Sequence, residues 1–235
     1  MSAALAQRMD DPATTPAGDV VDAVFGIDCA CLPVDHAWAL SQAIQAVLPW
    51  FVDEPRAGLH TVHGAASGAG WQRPEGEHAQ LQLSRRTKLV LRLPVHRMAD
   101  ASALSGRTLD VAGSAMRVGR LSARPLLRIA SLFSRSVIFE GAADETAFVA
   151  AATEALRALD VEASTMLCGR DVTLSTPQGS YRTRSLMLTV ATPAQSLALQ
   201  REGLGGSRKL GCGVFIPHKD VGDLRTEART REDWD

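Results

Sequence analysis

Glu202-Gly203-Leu204-Gly205-Gly206-Ser207-Arg208-Lys209-Leu210-Gly211-Cys212-Gly213-Val214-Phe215 is the stretch on which the reading of this chain turns. Five glycines surround an adjacent Arg208 and Lys209, and the run ends in apolar Val214-Phe215-Ile216. Glycine lets backbone amides approach an anion closely and reach φ > 0. Successive amides in such a loop form a concave nest that favours negative charge. With two cations added, the segment reads as a clamp for a phosphate backbone. It is not a Walker A loop, because Leu210 stands where Ser or Thr would follow the lysine; nor does it open a helix as a dinucleotide-binding loop does, because a strand follows.

Outward from the loop, Pro193 starts a helix that runs to Glu202, so the glycines join a helix to a short strand at 213–216. Before it, Ser164–Ser175 and Tyr181–Thr192 flank the turn Pro177-Gln178-Gly179-Ser180, a hairpin pattern. Asp144 opens a helix over 145–159 with Phe148, Ala152, Leu156 and Leu159 along one face, and Leu126–Phe139 precedes it as a strand. The first half repeats this order. Val21, Ala23, Phe25, Ile27, Cys29 and Cys31 alternate along a strand over 19–32. Asp35 is placed to cap a helix over 37–48. Leu59–Val62 and Leu81–Pro94 follow as strands, then a short helix at 97–104 and a strand at 109–111. The expected fold is α+β: two tandem ferredoxin-like (RRM-like, βαββαβ) domains. The expected boundaries are a disordered lead-in over 1–18, a first domain over 19–122, a second over 123–218 carrying the glycine-rich loop 203–213, and a charged tail over 219–235.

The net charge of −1 hides a polarity. Residues 1–54 carry eight acids and one base, and 219–235 carry six acids and four bases, leaving 20 bases against 12 acids over 55–218. Of the 25 bases, 22 are arginine, whose planar guanidinium holds phosphate bidentately and stacks on bases. A GC-rich genome also favours arginine, but it does not move the acids to the ends; that separation points to an anionic partner. No stretch approaches the roughly 20 apolar residues of a membrane span, and 1–18 lacks the pattern of a signal peptide. Cys29, Cys31, Cys168 and Cys212 complete no zinc site and read as thiols of a reducing cytoplasm.

The order of these segments resembles the CRISPR-associated endoribonucleases that cut precursor repeat RNA, the sixth Cas protein family of the RAMP superfamily. The likeness is to the myxobacterial-type branch, and it spans roughly Val20 to Lys219. It rests on the glycine loop, on Leu32-Pro33-Val34-Asp35-His36 opening the first helix, and on Gly58-Leu59-His60. Leu83-Ser84-Arg85-Arg86-Thr87-Lys88-Leu89 leading into Leu91-Arg92-Leu93-Pro94 completes it. The resemblance implies the tandem ferredoxin-like fold and a cofactor-free, metal-independent cleavage that leaves a 2′,3′-cyclic phosphate. It implies repeat RNA as partner, with an effector complex as a further one, and no membrane.

Such cleavage needs a group to take the 2′-hydroxyl proton, a group to protonate the 5′-oxygen, and a cation on the non-bridging oxygens. Histidine suits the proton transfers, and the resemblance implies a histidine in or just after the first helix. His36, at the first turn of that helix, and His60 after it are the candidate catalytic residues. His63, three residues on, points to the other face of a strand and is the third choice; His78, His96 and His218 read as surface residues. Tyr181 is the only tyrosine, so no tyrosine serves near the first helix, where Ser41 could replace one. Lys88, one of three lysines, is the candidate for the scissile phosphate. Arg85, Arg86, Gly203, Gly205, Gly206, Ser207, Arg208, Lys209 and Gly211 are the candidate RNA-binding residues. A non-catalytic repeat-RNA-binding RAMP subunit and, further off, a nucleotide-phosphate enzyme remain as alternatives.

Overall fold

The protein's structure, a computed structural model, describes residues 18–64, 74 and 79–218. The expected tail, the lead-in before Gly18, and His78 lie outside the described residues. The chain folds as two tandem ferredoxin-like units. In the first, β1 (Val20–Asp28) lies centrally in an antiparallel sheet of order β3-β5-β1-β7-β6, formed with β3 (Gly58–His60), β5 (Lys88–Pro94), β6 (Thr108–Val111) and β7 (Ser114–Pro125). In the second, β8 (Ser131–Val137), β9 (Ala163–Thr176), β10 (Gly179–Val190) and β11 (Ile216–Pro217) take the order β11-β8-β10-β9.

Alternation in β1 sends Ala23 and Phe25 into the first core, where they meet Leu40 and Ile44 of α1 (Ala37–Val47) and Leu89, Leu91 and Leu93 of β5. The expected strand 19–32 breaks at Cys29-Ala30, and β2 (Cys31–Pro33) pairs instead with β4 (Gln80–Gln82) in a two-stranded ribbon. The run 81–94 is therefore two strands separated by the turn at Ser84–Thr87, where Thr87 N–H donates to Ser84 O at 2.9 Å. The weak second helix is a single turn, α2 (Met98–Ala101), flanked by 3-10 turns. Asp35 does not cap α1. His36 occupies that place with helical backbone angles, while Asp35 Oδ2 accepts the Ser175 N–H of β9 at 2.9 Å and ties the two units together.

In the second unit the caps are as the side chains require. Asp144 accepts the Ala147 N–H at 2.8 Å to start α3 (Glu145–Ala158), and Thr192 accepts the Gln195 N–H at 3.2 Å to start α4 (Pro193–Glu202). Phe148, Ala152 and Leu156 of α3 pack with Leu132, Leu186 and Leu188 of the sheet. A third apolar cluster spans the units: Ala37 of α1, Ile138 after β8, Leu174 of β9, and Leu210 and Cys212 of the glycine loop.

Candidate functional site

Two hollows open where the units meet. The first, about 330 Å³, is walled by Asp35 and His36 at the start of α1, by Thr61–His63 after β3, and by Arg135, Ser136 and Ser185 of the second sheet. The second, also about 330 Å³, is lined by His60–Gly64, Arg86, Lys88, Val90 and Ile216. Thr61, Val62 and His63 belong to both. This short segment has left the sheet at His60, and two contacts fix its course. Val62 N–H donates to His36 Nε2 at 3.1 Å. From the other side Gly211, at φ +85°, presses so close that a β-carbon there would stand 2.5 Å from Thr61 Cγ2.

The three histidines of this region have different surroundings. His36 is 3% exposed, and its Nδ1 stands 2.9 Å from Pro33 O. Donating from Nδ1 while accepting at Nε2 requires the neutral ring in one tautomer. His60, on β3, turns away from the first core. Its Nε2 is buried 3.3 Å from Asp22 Oδ1, close enough for attraction but not aligned as a hydrogen bond. Burial drives the His60 pKa down, against the pull of Asp22. His63 is only half-buried and faces both hollows, with Nε2 3.3 Å from Thr61 Oγ1.

The candidate cations also divide. Arg85, Arg86 and Lys88 are exposed on and beside the β4–β5 turn, and Arg86 and Lys88 line the second hollow with His60 and His63. Arg208 and Lys209 turn inward instead. Arg208 donates to Glu202 O and, at 3.5 Å, to Arg56 O. Lys209 Nζ donates to Glu54 O and, at 2.9 Å, to Ala57 O, and lies 5.5 Å from the Phe51 ring centroid. Burial first, and then a neighbouring guanidinium, pushes Arg208 down to about 10 and Lys209 down to about 8. The expected open nest is replaced by close packing. β-Carbons at Gly203, Gly205 and Gly213 would stand 2.3, 2.1 and 2.0 Å from backbone oxygens; Gly206 alone of the five loop glycines has open space above it. Ser207 takes a left-handed conformation at φ +61°. The loop's glycines and cations thus bind the second unit to the first, beneath the segment that carries His63.

Two features escaped the sequence reading. Arg135 of β8 stands in the wall of the first hollow, its guanidinium 5.6 Å from the Phe133 ring, and burial lowers its pKa. The alternation of Phe133 and Arg135 places both on one face of β8, a signal that could have found it. The second is Arg92, fully buried at the junction. It donates to Asp22 Oδ1 at 3.0 Å, to Gln200 O at 2.9 Å and to Phe215 O at 2.5 Å. Gln200 lies in the last turn of α4, whose carbonyls lack helical partners and attract a cation. Burial alone would raise the Asp22 pKa, but Arg92 and His60 hold it well below the usual carboxylate range.

The family profile described as Cas6 Crispr matches residues 21–220. The chain belongs to the Cas6 family. A curated relative, the CRISPR-associated endonuclease Cas6 of Myxococcus xanthus strain DK1622, is 34% identical over 197 residues, which are 84% of this chain and 81% of that protein. Among solved structures, one described as CRISPR associated protein Cas6 aligns with TM-score 0.55 at 10% identity, covering 85% of this chain and 99% of that one. A Cas6-related protein from Pyrococcus furiosus aligns with TM-score 0.56 at 11% identity, covering 86% and 99%. At such identities the structures speak to the Cas6 fold, and both agree with the tandem arrangement seen here. No helix among the described residues is long and apolar enough to cross a membrane.

Proposed function

We propose that this chain is an endoribonuclease that cuts CRISPR repeat transcripts in the cytoplasm, at the junction of the two hollows. The observation that carries the reading is the position of His63, shared by both hollows with Lys88 on one side and Arg135 on the other. His63 takes the proton from the 2′-hydroxyl, the 2′-oxygen bonds to phosphorus, and the bond from phosphorus to the 5′-oxygen breaks as that oxygen takes a proton from water. The products are a 2′,3′-cyclic phosphate and a 5′-hydroxyl. Lys88 and Arg135 hold the non-bridging oxygens as charge develops. His36, its ring fixed between Pro33 and Val62, positions the segment that carries His63. His60 stays neutral against Asp22 and shapes the second hollow's floor.

The test is end-labelled repeat RNA incubated with the protein in excess EDTA, beside a substrate with a 2′-deoxy sugar at the cut. Discrete cleavage abolished by the deoxy sugar is expected, with a loss of about 10²–10⁴-fold in His63→Ala. Binding without cutting, in EDTA or in Mg²⁺, would leave a non-catalytic repeat-binding subunit. Full activity in His63→Ala would remove that residue from the proton path.

A further inference from the structure

Beyond the part that the second unit covers at Arg92, the outer face of the first sheet carries a second feature that none of this uses. In β7, Met116 and Val118 enter the core and Leu121 packs against it, so Arg117, Arg120, Ser122 and Arg124 lie on the opposite face. A bulge makes this possible. Phe25 pairs with Leu121 and Ile27 with Val118, so Gly119 and Arg120 together oppose Gly26. A bulge re-aims side chains in this way, and Arg120 emerges exposed.

Beside Arg120 the sheet is bare. A β-carbon on Gly119 would stand 3.1 Å from Gly26 O, so this position admits no side chain without a shift. Gly26 is different: among the described residues a β-carbon there would meet only Lys88 Nζ, at 3.8 Å. Its backbone angles demand no glycine either, so neither conformation nor packing within the described residues calls for one there. Lys88 is directly cross-strand from Gly26 and also lines the second hollow. A flat backbone floor thus runs from that hollow across Gly26 and Gly119, with Lys88 at one side and Arg120 and Arg117 at the other. Two exposed acids share the face: Asp28, directly across from Arg117, and Asp110 at its outer edge, which accepts the Gly113 N–H at 2.8 Å. Arg124 is engaged inward with Asp22 Oδ2 at 3.1 Å.

We propose that this floor binds the sugar–phosphate backbone of single-stranded RNA leaving the second hollow, with Arg117 and Arg120 as the phosphate contacts. The proposal rests on the reading of the hollows as the cleavage site. Phosphate contacts carry affinity without sequence information, so this segment would be held whatever its bases. Asp28 limits how strongly.

The experiment measures binding of fluorescein-labelled oligouridylate, 20 nucleotides long, by anisotropy across a salt series. Arg117→Ala/Arg120→Ala should reduce the slope of log affinity against log salt by about 1.4, at roughly 0.7 per phosphate contact on a single strand. The Lys variants at both positions should restore it. Asp28→Asn should tighten binding. Gly26→Val should weaken binding while leaving the melting temperature equal or higher, because the β-carbon has room and valine suits a strand. An unchanged slope in the double Ala variant, or unaltered binding in Gly26→Val, would overturn the proposal, as would no oligouridylate binding by the unaltered protein. Cleavage of repeat RNA by the unaltered protein, measured in parallel, reports on the cleavage-site reading separately.

Discussion

Replacing Arg92 with methionine removes the cation that joins the two units. Met fills much of the same space, so the loss is chemical more than volumetric. Three hydrogen bonds disappear, to Asp22, Gln200 and Phe215. Among the described residues Asp22, 5% exposed, keeps only the contacts of Arg124 and the His60 edge. Breaking a buried pair by removing one partner costs about 3–5 kcal/mol, because the remaining charge is left uncompensated. For a chain of this size 1 kcal/mol moves the melting temperature by roughly 2–4 °C, so a fall of roughly 6–20 °C is expected. The pH dependence adds a second check. Asp22, its pKa depressed in the folded protein, stabilises it above the unfolded carboxylate range, and that stability is lost as pH falls. In Arg92→Met the same carboxyl favours protonation. The gap between the two proteins should therefore be widest near neutrality and close toward pH 3. Urea unfolding at several pH values, with Asp22→Asn/Arg92→Met as the neutral reference, measures both. A loss below 1 kcal/mol at pH 7, or a gap constant with pH, would refute the reasoning.

Other outcomes follow from the same contacts. Gly205→Ala, at φ +72° with its β-carbon 2.1 Å from Ile138 O, should destabilise severely, whereas Gly206→Ala should stay within about 0.5 kcal/mol; calorimetry of the pair decides. Because Lys209 is lowered to about 8, the unfolded chain binds more protons between pH 8 and its ordinary range, so stability should rise there with pH. Lys209→Met should abolish that rise, read by chemical unfolding at pH 7.5 and 10. His36→Ala should lower both melting temperature and cleavage rate but leave the pKa values of the pH–rate profile in place, as befits a ring that transfers no proton.

The fold was largely legible because its elements announce themselves locally. Asp144 and Pro193 mark helix starts, and alternation marks β1 and β5. What failed locally was decided by distant partners. Asp35 looked like a cap, but its carboxylate is taken by Ser175 across the cleft. Arg92 reads as an ordinary outward residue between Leu91 and Leu93, and only the docking of the second unit buries it. The glycine loop runs between α4 and the last strand, and its glycines pack against backbone carbonyls there. Glycine permits approach to an anion or to another backbone, and sequence does not say which; here the neighbours are carbonyls. Among the histidines, His63 stood third, behind His36 and His60, since nothing in the sequence shows that two hollows converge on it.

The two carbonyl partners of Arg92 are separated from it by 108 and 123 positions along the chain. A ribosome completes the first sheet long before it makes Phe215. Until then the guanidinium has Asp22 beside it but no carbonyls to meet, and the face it occupies stays wet. The first unit thus emerges with an unfinished side, and the loop that closes it is among the last residues of the second unit to appear. Assembly of the cleft is in this sense a late event of synthesis, triggered by length of chain made.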